Sequence, residues 1–356
     1  MSPPIPPVVE RRDRSRDRPS LGRARLEDVA IAAGVSMATA SRALNQPELV
    51  AEATRQKVTE AAARLGYFRD LAAGNLASDR TGQVAVVVPS FGTAAFMGTI
   101  QGISDTLMPH GMQILLADTN LSGDNEAKLV ASLLGRRADA MIFTDTVQSE
   151  AARAMLRTAR IPLVETWTLA REPIDMNVGF DNRAAARAAV EHLVGVGCRA
   201  VGMMCGRLQS NQRGRDRRQG FLDAVQANGM DEHLFVELPY PFRWRDCEEA
   251  LATLMDRDGG LDGVFCSGDT FAAGALFGAQ RRGWAVPGRL ALIGLGDLEL
   301  NEQTVPSLSS AVVPGYRMGQ VAAEMVVRRL AGEDARASVV DVGFKIVGRD
   351  STARGA

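Results

Sequence analysis

Apolar residues recur with two different periods along the chain. From Leu26 to about Phe68 the period is helical, with Leu26, Val29, Ala30 and Ala33 at i, i+3, i+4 and i+7 on one face. Gly34 supplies the left-handed turn that stops this helix, and Ser36, preceded by apolar Val35, is placed to cap a second one. In the second helix Ala40, Ala43 and Leu44 turn inward, leaving Met37, Ala38, Ser41, Arg42 and Asn45 outside. A third helix, ATRQKVTEAAARLGY, is expected to bury Val58, Ala62 and Leu65. Three helices around a glycine turn fit a helix-turn-helix, whose second helix enters the DNA major groove. A small helical cap on a larger domain would show the same pattern.

From Gln83 onward the pattern changes to short, nearly continuous apolar runs separated by helical stretches. The runs are QVAVVVP (83–89), MQILLAD (112–118), AMIFTD (140–145), IPLVET (161–166), AVGMMCG (200–206), GVFCSGD (263–269) and LALIGLGD (290–297). Runs of this kind, bounded by Gly, Pro, Asn or Asp, predict buried parallel strands in β-α units. Their distribution about residue 190 predicts two sheets, hence two lobes with a cleft between them. Ligands of open α/β sheets sit beyond the carboxyl ends of the strands. That rule directs attention to Ser90, Asp118, Asp145, Glu165, Asp181, Gly206, Asp269 and Gly296.

Composition narrows the classes. The 356 residues are 46% hydrophobic and 23% charged, as in ordinary globular proteins, and the net charge of −1 makes any DNA affinity a local property. Four cysteines without a C-x-x-C pair and three histidines give no zinc spacing, so the cysteines read as reduced thiols of a cytoplasmic protein. No run reaches the ~18 apolar residues of a membrane span. The opening MSPPIPPVVERRDRSRDRPS lacks the apolar segment of a secretory signal. Proline-rich and then mixed in charge, residues 1–24 are expected to be a disordered tail. Its arginines alternate with aspartates, which argues against a DNA-gripping arm. The chain carries no G-x-S-x-G, no phosphate-loop motif and no metal-ligand cluster, so no enzyme and no cofactor is expected.

LEDVAIAAGVSMATASRALN followed by VAEATRQKVTEAAARLGY closely resembles the headpiece of the LacI family of transcription regulators. RTGQVAVVVPS, LDGVFCSGDTFAAGA and LALIGLGD resemble that family's core. The resemblance implies an all-α helix-turn-helix DNA-binding domain at 25–68 and a hinge at 69–81. It implies an α/β two-lobed, periplasmic-binding-protein-like effector and dimerisation core at 82–350. The implied partners are double-stranded operator DNA, a second copy of the chain in a homodimer, and a small effector. Met37, Ala38 and Arg42 fall where the family reads base edges. An arginine can fork onto guanine O6 and N7, worth about 1–3 kcal/mol of discrimination. Ser36, Thr39, Ser41 and Asn45 match phosphate-holding positions. Leu76 matches a leucine that wedges into the minor groove, although a linker leucine resting on the core is the alternative. The chain departs from the family at Arg69-Asp70, at Gly74 and at Ala51, where the family usually has Pro-Asn, an arginine and a capping serine. Gly74 lowers helix propensity by about 1 kcal/mol relative to alanine.

In the core the resemblance implies four effector-binding residues. Arg217 matches an arginine that grips a sugar hydroxyl or carboxylate, although its run with Arg213, Arg215 and Arg218 could be a solvated face. Asp269 matches a pocket-edge position and Asp181 is a cleft-facing candidate at the start of the helix after a crossover strand, or both cap the helices that follow them. Phe96 stands where an aromatic covers the ligand, or belongs to the core. Gly296 replaces the aspartate that sugar binders of the family often carry. With IPLVETW and PIDMNVGFDN, that replacement resembles the gluconate-utilisation repressor subgroup and implies a sugar-acid effector such as gluconate, for which Arg217 would be the charge-assisted partner. Glu165 would repel such a ligand and is expected to have a structural or hinge role. A regulator of a neutral sugar, or a sugar-binding protein without a DNA-binding role, is the competing reading.

Overall fold

The computed structural model describes residues 24–68, 80–92, 94–209, 211–296, 298–333 and 338–354. The chain divides into two units between Asp79 and Arg80. The tail up to residue 23 and the hinge positions Arg69, Asp70, Gly74 and Leu76 lie outside the described residues.

The first unit contains α1 (Leu26–Ala33), α2 (Met37–Asn45) and α3 (Glu52–Leu65). Val29, Ala30, Ala40, Ala43, Val58, Ala61 and Ala62 form its core. Small side chains at these positions let three short helices approach closely. Gly34 ends α1 at φ 66°, in the left-handed region that glycine enters without steric cost. Ser36 caps α2 by accepting a hydrogen bond from the Thr39 amide at 3.1 Å. Ala51 gives α3 no side-chain cap. Leu65 corrects the sequence reading: it is 38% exposed. It is the last residue before Gly66 turns left-handed, and Tyr67, beyond the turn, packs against the core instead.

The second unit begins with β1 (Gln83–Val88), α4 (Met97–Leu107), β2 (Gln113–Asp118), α5 (Gly123–Gly135), β3 (Ala140–Phe143), α6 (Glu150–Ala159), β4 (Leu163–Thr166) and β5 (Met176–Gly179). It continues through α7 (Asn182–Gly195), β6 (Val201–Cys205), α8 (Gln212–Ala227), β7 (Phe235–Glu237), α9 (Trp244–Arg257), β8 (Gly263–Cys266), α10 (Asp269–Arg281), β9 (Ala291–Gly296), α11 (Leu300–Gln303) and β10 (Ser309–Val312). It closes with α12 (Gly315–Leu330), β11 (Val339–Asp341) and β12 (Lys345–Val347).

Two six-stranded sheets result, in the orders β11-β5-β4-β3-β1-β2 and β12-β10-β9-β8-β6-β7. All pairings are parallel except β10 with β12. Each sheet is the centre of a lobe with helices on both faces. The seven apolar runs are β1, β2, β3, β4, β6, β8 and β9. The chain passes between lobes three times: after β5, because α7 packs on the second sheet; after β10, because α12 packs on the first; and between β11 and β12.

Two details position the cleft. Asp139 fastens the entry to the first lobe by accepting from the amides of Thr81 at 2.8 Å and Gly82 at 2.7 Å. Gly220 lets α8 lie against α7, since a Cβ there would sit 2.1 Å from the Arg183 carbonyl oxygen. All four cysteines are free and buried, and burial pushes the Cys198 and Cys247 thiols up to about 11 and 12, which leaves them protonated. No described helix is long and apolar enough to cross a membrane.

Candidate functional site

Two surfaces carry chemistry. The first is the outer face of α2. Met37 is 56% exposed, and Ser36, Ala38, Arg42 and Asn45 are exposed beside it, with Thr39 and Ser41 half-buried. The Ser36 and Thr39 hydroxyls share a hydrogen bond of 2.8 Å, and the Asn45 amide donates to the Ser41 hydroxyl at 3.1 Å. These contacts hold the polar side chains along the helix while the Arg42 guanidinium stands clear. Residues 24–68 carry five basic and five acidic side chains. Affinity for a polyanion from this surface therefore depends on where its charges stand, not on an excess of them.

The second surface is the cleft between the lobes, with an empty volume of about 1090 Å³ including its open mouth. Ser90, Phe96 and Trp167 line it from the first lobe; Arg207, Arg213, Arg217, Asp269, Phe271 and Gly296 line it from the second. Arg213 and Arg217 stand one turn apart on α8, and each is only 8% exposed. The Arg213 Nε donates to Asp145 Oδ2 at 3.0 Å, across the gap between lobes. Its guanidinium lies 4.8 Å from the Phe96 ring centre and 5.8 Å from that of Trp167, and those two rings meet edge to face at 5.3 Å. Arg217 Nε donates to Asn182 Oδ1 at 2.7 Å and Nη1 donates to the Ser267 carbonyl. Its Nη2 has no partner among the described residues. Burial first, and the neighbouring Arg213 charge second, push the Arg217 pKa down to about 9. The group stays cationic near neutrality, in surroundings where an added anion would stabilise it.

The other candidates sort by position. Phe96 is both core and wall: it is buried, packs on Trp167 and still lines the cleft. Asp269 opens α10 and lines the cleft, but its carboxylate accepts from the Ser310 hydroxyl at 2.7 Å and from the Leu298 amide at 3.2 Å. Asp181 is not among the lining residues. It is exposed, and its carboxylate caps α7 through the Ala184 amide at 2.9 Å. A side chain at Gly296 would meet that of Asp269, since its Cβ would fall 2.7 Å from Oδ2.

Comparisons with known proteins decide the family. Residues 25–70 match the profile described as bacterial regulatory proteins, lacI family, and residues 190–352 match a periplasmic binding protein-like domain. The HTH-type transcriptional regulator GntR of Pseudomonas aeruginosa is 37% identical over 332 residues, covering 93% of this chain and 96% of that one. The chain belongs to the LacI family. It shares that family's architecture with a solved transcriptional regulator from Silicibacter pomeroyi, at a TM-score of 0.85 and 31% identity over 93% of this chain and all of that one. The solved CelR–cellobiose complex superposes with a TM-score of 0.67 and 28% identity, over 92% of this chain and 100% of that one. As a LacI-family member the chain is a transcription regulator, not an enzyme.

Several residues of this LacI-family core are not singled out by their sequence. Trp167 and Asn182 lie in IPLVETW and PIDMNVGFDN, but only the fold brings them to Arg213 and Arg217. In sequence Arg213 is one member of a charge run. The signal that separates it is spacing: Arg213 and Arg217 are four apart and share the buried face of α8 with Phe221, whereas Arg215 is exposed. Glu165 is fully buried and accepts from the amides of Val147 at 2.9 Å and Ile174 at 3.0 Å, which ties two loops of the first lobe together. Glu126, in the first turn of α5, holds the same loop after β3, accepting from Gln148 at 3.0 Å and Ser149 at 2.7 Å, and burial pushes its carboxyl up to about 7.

Proposed function

We propose that this LacI-family regulator is a repressor that binds a palindromic operator as a homodimer and answers to a sugar acid, such as gluconate, held in the cleft. Arg217 carries the reading: a buried guanidinium on the cleft wall, with one nitrogen unpartnered and its charged form disfavoured by its surroundings. A carboxylate supplies the missing acceptor and the missing charge together. Phe96, Trp167 and Phe271 give the apolar walls on which the carbon face of a polyol rests, and Asp269 is the acceptor for its hydroxyls. On the headpiece, Arg42 reads a guanine, Met37 and Ala38 touch thymine methyls, and Ser36, Thr39, Ser41 and Asn45 hold phosphates. Leu76 wedges into the central step of the site.

A neutral-sugar effector is the second reading, favoured by the aromatic walls and by the cellobiose bound in the solved CelR complex. Thermal unfolding with gluconate, other sugar acids, neutral sugars and purines separates the two. A ligand at about 100 times its Kd adds about 2.7 kcal/mol to the form it binds. Sugar acids alone are expected to raise Tm. A shift from neutral sugars alone would overturn the acid reading and leave the repressor reading standing.

A further inference from the structure

The two lobes meet at the cleft through a buried pair of opposite charge, Asp145 on the loop after β3 and Arg213 on the first turns of α8. Glu126 and Glu165 stand near Asp145 but are buried within the first lobe on backbone amides, and Arg215 and Arg217 flank Arg213 on α8. Among the described residues, three side-chain hydrogen bonds cross this gap, besides the packing of Arg213 on Phe96 and Trp167: Arg213 to Asp145 at 3.0 Å, Arg215 Nη2 to Gln148 Oε1 at 3.2 Å, and the Tyr240 hydroxyl to Asn120 Oδ1 at 2.7 Å. Of these, the first is the ion pair, and its arginine lines the cleft while Asp145 lines a smaller hollow behind it.

We propose that Arg213 is a second anion-binding residue of the cleft and that Asp145 is its resident occupant, so that the carboxylate of a sugar-acid ligand displaces Asp145 and undoes the clasp between lobes. The inference rests on the sugar-acid reading of the cleft. Arg213 is already shaped for an anion: its guanidinium is nine-tenths buried, is oriented by the Phe96 and Trp167 rings, and stands one turn from Arg217 on the same face. A carboxylate reaching Arg217 from the cleft therefore meets Arg213 as well. Sharing is unfavourable, because Asp145 and the incoming carboxylate would face each other over one buried guanidinium, in a wall where burial already works against the charged forms of Glu126 and Glu165. The local bonds of Asp145 survive the exchange, since its Oδ1 accepts from the Thr146 amide at 2.8 Å within its own loop. The ligand then favours the state in which Arg213 and Asp145 are apart, which is the differential affinity that any ligand-driven change requires.

The test is calorimetric titration of D-gluconate and D-glucose into the full-length wild type, Asp145→Asn and Arg213→Gln, with a melting curve for each. Asp145→Asn keeps an Oδ1 acceptor for Thr146, while the competing charge goes and an amide nitrogen, which cannot accept from Arg213, replaces Oδ2. It is expected to bind gluconate roughly tenfold tighter than wild type, with no gain for glucose, while Arg213→Gln loses roughly tenfold or more. Equal or weaker gluconate binding by Asp145→Asn, with wild type binding it, overturns the exchange and leaves the sugar-acid reading intact. Binding by Asp145→Asn alone supports the exchange and removes gluconate as the wild-type effector. Binding by neither protein overturns both. If Arg213→Gln fails to fold, the Asp145→Asn comparison decides alone.

Discussion

The exposed polar surface of α2, proposed above to face DNA, comes from ten consecutive residues, Ser36 to Asn45, whereas the charged wall of the cleft joins Asp145 to Arg213, 68 positions later, and Asp269 beyond that. The first surface is set by short-range geometry: a glycine turn, a serine cap and a helical period. Its polar groups stay in water and are held by neighbours three or four residues away. The second exists only when two sheets are complete and brought together. Its charges are buried, so each needs a partner, and the partners come from different lobes. A change on α2 should therefore alter one contact to DNA and little else, while a change in the cleft should propagate through the groups it leaves unpaired.

The largest effect should come from Arg217→Ala. It removes the donor to Asn182 and Ser267 along with the proposed charge partner of the ligand, and the stabilisation by gluconate of about 2.7 kcal/mol at 100 times Kd should vanish from the melting curve. Arg42→Ala comes next. Operator affinity, read by fluorescence anisotropy, should fall by about 10- to 100-fold, or about 1–3 kcal/mol, with the ligand-induced Tm shift untouched. The salt dependence sharpens this: a base-reading Arg42 leaves the slope of log K against log salt nearly unchanged, whereas a phosphate contact would reduce it by about 0.9.

Glu126→Gln tests the buried side of the comparison through pH. Burial raises the Glu126 carboxyl from 4.5 to about 7, so the folded protein binds that proton more tightly than the unfolded chain does. Wild-type stability therefore declines as pH rises through this window. The glutamine variant keeps an oxygen for the Gln148 and Ser149 amides and lacks the titration. Its Tm relative to wild type should climb between pH 5 and pH 8; a flat difference would mean that Glu126 ionises normally. The smallest effect is expected at Ala51→Ser, which gives α3 its missing cap and should stabilise the first unit by about 1 kcal/mol without moving the ligand response.

How far each region can be read in sequence follows from the same contrast. Gly34, Ser36 and the Ala40/Ala43 face mark the helix-turn-helix in the sequence alone, because each acts within one or two turns. The strands that lie within continuous apolar runs are equally legible. β5, β7, β10, β11 and β12 are three or four residues each and carry polar positions such as Asn177, Ser309 and Ser310, so no apolar run announces them. Asn177 is buried in β5 because its amide donates to the carbonyls of Glu165 and Thr168, a long-range satisfaction that no local pattern reveals. Arg217 could be placed by resemblance; its pairing with Arg213, and the tie from Arg213 to Asp145, could not. Asp181 shows the opposite failure: the end of a strand and the start of a helix coincide there, and the helix takes the side chain.

The threefold passage of the chain between lobes also bears on how the protein is made. The first sheet is finished by β11 and covered by α12, both of which are synthesised after almost all of the second lobe. The lobe that leaves the ribosome first thus stays unfinished until five of the six strands of the other have been made. Until residues 315–341 emerge, the face of β3, β4 and β5 that α12 will cover has no lid, and β5 has an open edge where β11 will pair. A ribosome stalled before residue 315 would carry a second lobe with five of its six strands next to a first lobe still exposing apolar surface, and that nascent chain is where chaperones and proteases should act on this protein.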